Sequence, residues 1–372
     1  MIALDRNVYR KNAYLLLYLI RCVLNGTTPS RGRLDDADLN ALYAVAKAHS
    51  LTAIGAYGLE KAGICDKAFE EAKLANLRKN TILDTERAKV TAELEKTGIW
   101  YAPLKGAVLK CIYPVADMRQ MADNDILFDP EYREEVRRIF EALGFKTEAF
   151  RKGNHDVYHK PPVSNFEMHV SLFGESFKDS FYAYYKDVGQ RLRRADDSEL
   201  KLEFTDDDFY IYMTAHEYKH FSKGGTGLRS LVDAYVFLRH FQDRLDMDRI
   251  GGELDKLGIR EYELSRRQLV FDIFERGRIA PEQRRLLDYY VFSGTYGTIE
   301  NSVRNATDRT GSSKLKYIFR RVFIPMKSIK VSYPFFYRHK YLIPFLIVYR
   351  MFRMVTVSRK KVLSEVRALG KA

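Results

Sequence analysis

The stretch that most constrains this chain runs from Trp100 to Pro130, WYAPLKGAVLKCIYPVADMRQMADNDILFDP. A short apolar run, Trp100 to Leu104, closes on Lys105-Gly106, and a helix-like segment, Ala107 to Tyr113, stops at Pro114. Asp123-Asn124-Asp125 then leads directly into Ile126-Leu127-Phe128. The pattern predicts a strand, a turn, a short helix and a second strand from Asn124 to Phe128. Successive strand side chains alternate faces, so Asp123 and Asp125 are expected on one side. Adjacent carboxylates repel, and they stay ionised only with a cation or donors between them. Hard divalent ions such as Mg2+ take carboxylate oxygens together with substrate phosphates. A D-x-D at the mouth of a strand is therefore a candidate metal site, although the same spacing also occurs at solvated strand ends.

Two neighbours strengthen it. Lys105-Gly106 sits where a strand turns into a helix. Amides at a helix start favour anions, and glycine lets a phosphate approach closely. Downstream, in Asn165-Phe166-Glu167-Met168-His169-Val170, Glu167 alternates with apolar residues as a half-buried strand would place it. A strand paired beside the D-x-D strand would bring Glu167 in as a third carboxylate.

Leu104-Lys105-Gly106, then Arg119, then Asp123-x-Asp125 before an apolar strand, then Glu167-x-His169, resembles the nucleotidyltransferase superfamily of the DNA polymerase β type. More narrowly, the combination is similar to the bacterial family of largely uncharacterised nucleotidyltransferases, over about Ala41 to Phe241. The wider superfamily carries Gly-Ser at the nucleotide-binding turn, where Lys105-Gly106 stands here. The resemblance implies an α+β fold, with a small mixed-sheet core embedded in N- and C-terminal helical regions. It implies transfer of a nucleoside monophosphate from a nucleoside triphosphate to a hydroxyl acceptor, with Mg2+ (or Mn2+) and release of pyrophosphate. Asp123, Asp125 and Glu167 would then hold the metal and carry catalysis, with Glu167 or a metal-bound hydroxide the candidate general base. Lys105, Gly106 and Arg119 would bind the nucleotide, the two cations offsetting triphosphate charge. Arg119 equally suits a structural ion pair with Asp117 or Asp123.

The rest of the chain divides by pattern. Residues 1–97 read as a helical region and 98–180 as the nucleotidyltransferase core. Residues 181–310 read as a second helical domain, with a Gly/Ser/Thr-rich linker expected from Ser293 to Ser313. Residues 311–372 form a basic, aromatic segment: it holds 15 Lys/Arg against one acidic residue, Glu365, leaving 47 basic and 48 acidic residues before it. The formal charge of +13 therefore belongs to this tail. Its interleaved aromatics and cations suit contact with an anionic membrane or with nucleic acid, and equally a helix packed on the body.

His216-Glu217-x-x-His220 matches the helical H-E-x-x-H of zinc metallopeptidases. That alternative stays open beside a third, a non-catalytic nucleotide- or surface-binding protein on the same fold. The three cysteines, Cys22, Cys65 and Cys111, match neither a disulfide framework nor a zinc spacing. The longest apolar runs are too short or too charged to span a bilayer. No cleavage site follows the short apolar run near the N-terminus. A cytoplasmic setting, membrane-peripheral through the tail, is the expectation.

Overall fold

Asp5 accepts hydrogen bonds from the amides of Asn7 and Val8 and so opens the first helix, α1 (Arg6–Leu24). The computed structural model describes residues 4–175, 177–295, 297–308, 319, 322–356 and 364–365. Three more helices follow: α2 (Leu39–Ala48), α3 (Thr52–Lys61) and the 30-residue α4 (Lys67–Lys96). Strands begin only after it. In order come β1 (Tyr101–Pro103), the single-turn α5 (Gly106–Leu109), β2 (Asn124–Phe128), α6 (Arg133–Ala142), β3 (Lys146–Ala149), β4 (His155–Lys160) and β5 (Ser164–His169). Beyond α7 (Asp179–Tyr185) lies a hairpin that the sequence reading did not anticipate, β6 (Leu192–Ala195) and β7 (Ser198–Phe204). In β7 Leu200, Leu202 and Phe204 do alternate with Glu199, Lys201 and Glu203, the period expected of a half-buried strand, whereas the four-residue β6 shows no such pattern.

The seven strands form one mixed sheet in the order β3-β4-β5-β2-β1-β7-β6. The β2–β5 and β1–β7 pairs are parallel, and the others are antiparallel. This is the expected α+β architecture, with helical regions on both sides of the sheet in sequence.

Alternation along the strands divides the sheet faces. Tyr101, Ile126, Phe128, Phe166 and Met168 pack with Val90 and Leu94 of α4 and Val136 and Phe140 of α6. Ala102 and Leu127 point the other way, into a core with Phe209 and Met213 of α8 (Asp206–Phe221). Asn124 shares the α4 side and is fully buried there. Its amide donates to Leu83 O at 3.0 Å and its carbonyl accepts from Arg87 Nη1 at 3.0 Å. A polar residue at the head of an apolar strand is thus satisfied by α4, as a buried amide must be.

The remaining helices are α9 (Leu228–Phe241), α10 (Met247–Leu257), α11 (Arg260–Phe271), α12 (Arg284–Val291) and α13 (Ile299–Asp308). Leu231, Val232 and Tyr235 of α9, with Leu287 and Tyr290 of α12, complete the core begun by Leu16, Ile20 and Val45. The expected linker from Ser293 to Ser313 holds helix α13, and its residues 309–313 lie outside the described residues. Past it come α14 (Met326–Ser332), α15 (Pro334–Arg338) and α16 (Ile343–Thr356). Among the described residues no helix is long and apolar enough to cross a membrane.

Candidate active site

The turn after β1 is built around an unusual backbone. Lys105 has φ 40° and ψ −104°, in the left-handed region that L side chains avoid. Holding a branched-off side chain there costs on the order of 1–2 kcal/mol. The strained residue aims its ammonium at β2: Lys105 Nζ donates to Asp125 Oδ1 at 2.9 Å. It also lies 3.3 Å from His216 Nε2 of α8. Gly106 serves a different purpose. A Cβ there would come within 2.7 Å of Arg119 Nη1 and of Met121 Sδ, so any larger residue would have to displace the ends of those two side chains. Because α5 is one turn long, its dipole is small, and the positive charge at this turn comes mainly from Lys105.

Strands β2 and β5 supply the acidic side. Asp125 stands directly opposite Glu167 in the parallel register, and His169 follows two residues along β5 on the same face. His169 Nε2 donates to Asp125 Oδ1 at 2.8 Å. Asp123 precedes the strand and points to the same cavity. Its environment differs from that of Asp125. Burial raises the Asp123 carboxyl to about 6, and Asp125 and Glu167 push the same way against Lys105 and Arg229. Burial also works against ionisation of Asp125, but Lys105 and His169 outweigh it and hold that carboxyl well below the usual range.

The cavity has a volume of about 420 Å³ and is lined by Lys105, Asp123, Asp125 and Glu167 together with groups from α8 and α9. From α8 come His216, Lys219 and His220. Burial, then Lys223 and Lys105, lower the Lys219 ammonium to about 8. Desolvation lowers His220 to about 4 and His216 well below its ordinary value, so both imidazoles are neutral.

The zinc-peptidase reading does not survive the helix geometry. Glu217, the required general base, borders the cavity, but its carboxylate is engaged in the core. It accepts from Tyr262 at 2.8 Å and Tyr290 at 2.9 Å and is ion-paired with the fully buried Arg266. A carboxylate held by three donors in the core has no access to a water between His216 and His220.

Arg119 is engaged as well. Its Nε and Nη2 donate to the two oxygens of Asp233 on α9 at 2.8 and 2.9 Å, and Tyr113 donates to Asp233 Oδ1 at 2.6 Å. Its ion-pair partner is therefore Asp233 rather than Asp117 or Asp123. Arg119 still lines the cavity. The sequence carried no sign of Asp233, Lys219 or Arg229 as neighbours of the site. They arrive on α8 and α9, more than 90 residues after the D-x-D, through the packing of those helices.

The carboxylates fit a divalent cation. Burial first, and then the neighbouring acids Asp125 and Glu167, disfavour a charge on Asp123, and a cation between the acids would relieve it. Ligand-type nitrogens are close by too: atoms of His155, Glu167 and His169 lie within 4.8 Å of one another.

A family model described as "Uncharacterised nucleotidyltransferase" matches residues 35–275, well over half of the chain. The chain belongs to that nucleotidyltransferase family. The matched range of this nucleotidyltransferase runs from just before α2 to the turn after α11 and takes in the whole sheet and all of the cavity lining except Thr295. No curated protein and no solved structure gives a significant match.

Proposed function

We propose that this nucleotidyltransferase transfers a nucleoside monophosphate from a nucleoside triphosphate to an acceptor hydroxyl. The hydroxyl oxygen forms a bond to the α-phosphorus. The bond from that phosphorus to the bridging oxygen of the β-phosphate breaks, and pyrophosphate leaves with the bonding pair. The hydroxyl proton passes to Glu167 and from there to solvent. The observation that carries this reading is the register of two strands: Asp125 opposite Glu167, in one cavity with Asp123 and Lys105.

Asp123, Asp125 and Glu167 would hold Mg2+ or Mn2+, which when bound would neutralise phosphate oxygens. Lys105 would meet the triphosphate as a point charge, and Gly106 would leave room for it. Arg119, locked on Asp233, would add positive potential from the wall rather than a mobile contact. Lys219 would face the phosphates from α8. Incubation of the purified protein with each labelled triphosphate and a cell extract tests the reading. A labelled acceptor with Mg2+ or Mn2+ supports it, and labelling unaffected by Asp125→Asn contradicts it.

The tail adds a partner to this reading. Ten of the sixteen exposed large apolar side chains among the described residues fall between Phe319 and Phe352. Tyr341, Phe345, Val348 and Phe352, at 74, 67, 60 and 66% exposure, recur at helical spacing on α16 and the turn before it. Leu346 is buried on the other side, and Arg350 sits over the Tyr333 ring at 5.8 Å. The helix thus shows its apolar stripe to solvent. From residue 322 to 356 there are six Lys/Arg and no acidic residue. An apolar stripe framed only by cations matches the interface of an anionic lipid surface.

A further inference from the structure

Strands β4 and β5 place beside Glu167 two imidazoles that the carboxylate site does not use. His155 is paired with His169 across the antiparallel register, and Glu167 lies two residues before His169. Alternation puts Glu167 and His169 on one face of β5, and the cross-strand pairing puts His155 beside them. The two imidazole rings have centroids 5.1 Å apart. His155 Nε2 and His169 Nε2 each lie 3.7 Å from Glu167 Oε2.

Those separations are near what one ion requires. Ligand atoms at ~2.1 Å from a tetrahedral ion are about 3.4 Å apart, so each histidine needs to close on Glu167 by only a few tenths of an ångström, with His169 Nε2 giving up its bond to Asp125 to reach the ion. Each ring also has a spare nitrogen. The Nδ1 atoms of His155 and His169 are buried and have no hydrogen-bond partner, a condition that a folded protein rarely leaves unexplained. Two imidazoles and one carboxylate also select differently from an all-oxygen set. Magnesium prefers oxygen donors and keeps its water, imidazole suits zinc, copper, iron and nickel, and manganese, which favours oxygen donors, is the weakest-binding ion of that first-row series.

We propose that His155, Glu167 and His169 form a binding site for a divalent transition ion, chemically distinct from the oxygen donors Asp123 and Asp125. Glu167 stands between the two halves: it faces Asp125 across β2–β5 and is flanked by the histidines across β4–β5. The cavity is then graded from oxygen donors at the β2 end to nitrogen donors at the β4 end. The proposal rests on the metal-dependent reading of this same cavity, and it makes the preferred ion a first-row transition ion rather than Mg2+.

The full chain, stripped with chelator, is titrated with Mn2+ and with Mg2+, and the Mn2+ form is examined by electron spin-echo spectroscopy. Nitrogen-14 modulation from directly bound imidazole is expected. His155→Gln, at a half-buried strand position, should weaken Mn2+ binding by about tenfold or more, reduce that modulation, and leave Mg2+ binding within about twofold. Bound Mn2+ without coordinated nitrogen overturns the proposal, as does an unchanged Mn2+ affinity in a folded His155→Gln protein. Should that variant not fold, the wild-type spectrum decides alone. Transfer activity with Mg2+ but no nitrogen coordination sinks this inference and leaves the proposed function standing. Nitrogen coordination without any transfer does the reverse.

Discussion

Arg119 and Asp233 stand 114 residues apart and close a two-pronged ion pair under the floor of the cavity, with both side chains almost fully buried. The pair ties the loop before β2 to the first turns of α9. Breaking one partner leaves an uncompensated buried charge, which costs about 3–5 kcal/mol. Asp233→Asn should lower stability by that order in urea unfolding. A loss below about 1 kcal/mol would show that the pair is not what holds the two elements together.

Asp123→Asn and Asp125→Asn should each abolish metal-dependent nucleotide binding or transfer while the circular dichroism spectrum stays native. Either change removes a charge that the cation and the triphosphate share. Turnover like wild type in both variants would end the assignment of these aspartates.

Lys105 permits a cleaner separation of backbone from side chain. Lys105→Ala and Lys105→Gly both delete the ammonium, so both should weaken triphosphate affinity more than affinity for the unphosphorylated nucleoside. Only glycine relaxes at φ 40°, so Lys105→Gly should be more stable than Lys105→Ala by about 1 kcal/mol. Equal thermal midpoints for the two would remove the claim of strain. Equal losses for nucleotide and nucleoside would make Lys105 structural.

His49 sets a pH limit. It is fully buried at the end of α2, where its Nδ1 accepts from the Leu228 amide at 3.1 Å and its Nε2 meets Val291 O at 3.1 Å. Burial pushes it down to about 4. The folded form binds its proton later than the unfolded chain, whose histidine titrates near 6.5. Unfolding therefore takes up a proton between those values, and stability falls as pH drops from about 6.5 to 4, by ~3 kcal/mol from this residue. Protonation at Nδ1 would also break the bond to the first amide of α9, which leads into the cavity wall. His49→Gln should flatten the pH dependence of the melting temperature across that window. A slope identical to wild type would assign the effect elsewhere.

On α16, replacing both Phe345 and Phe352 with Glu should abolish sedimentation with vesicles of phosphatidylserine and phosphatidylcholine. Binding of the wild type should weaken with salt but survive moderate ionic strength, because the aromatics add apolar contact. Binding to single-stranded RNA with a log-linear salt dependence, and none to vesicles, would make nucleic acid the partner instead.

Much of this was legible in one dimension because it depends on local periodicity. The strand Asn124–Phe128 matches its sequence pattern residue for residue. The strand around Glu167 follows from the same alternation, which needs no knowledge of what lies across the sheet. The family was readable for a related reason, since Lys105-Gly106, Asp123-x-Asp125 and Glu167-x-His169 keep their spacing along the chain.

Tertiary structure decided the rest. That β5 lies beside β2 with Asp125 opposite Glu167 is a long-range pairing, and alternation within each strand is equally compatible with other neighbours. Arg119 finds Asp233, and Glu217 turns to Arg266 instead of a zinc ion, because helix packing chooses which face of α8 and α9 meets the sheet. His155 joins His169 only through the β4–β5 register. Spacing along a chain records which side chains share a face, whereas a site is made where faces from distant segments meet, and their packing in the core selects that meeting.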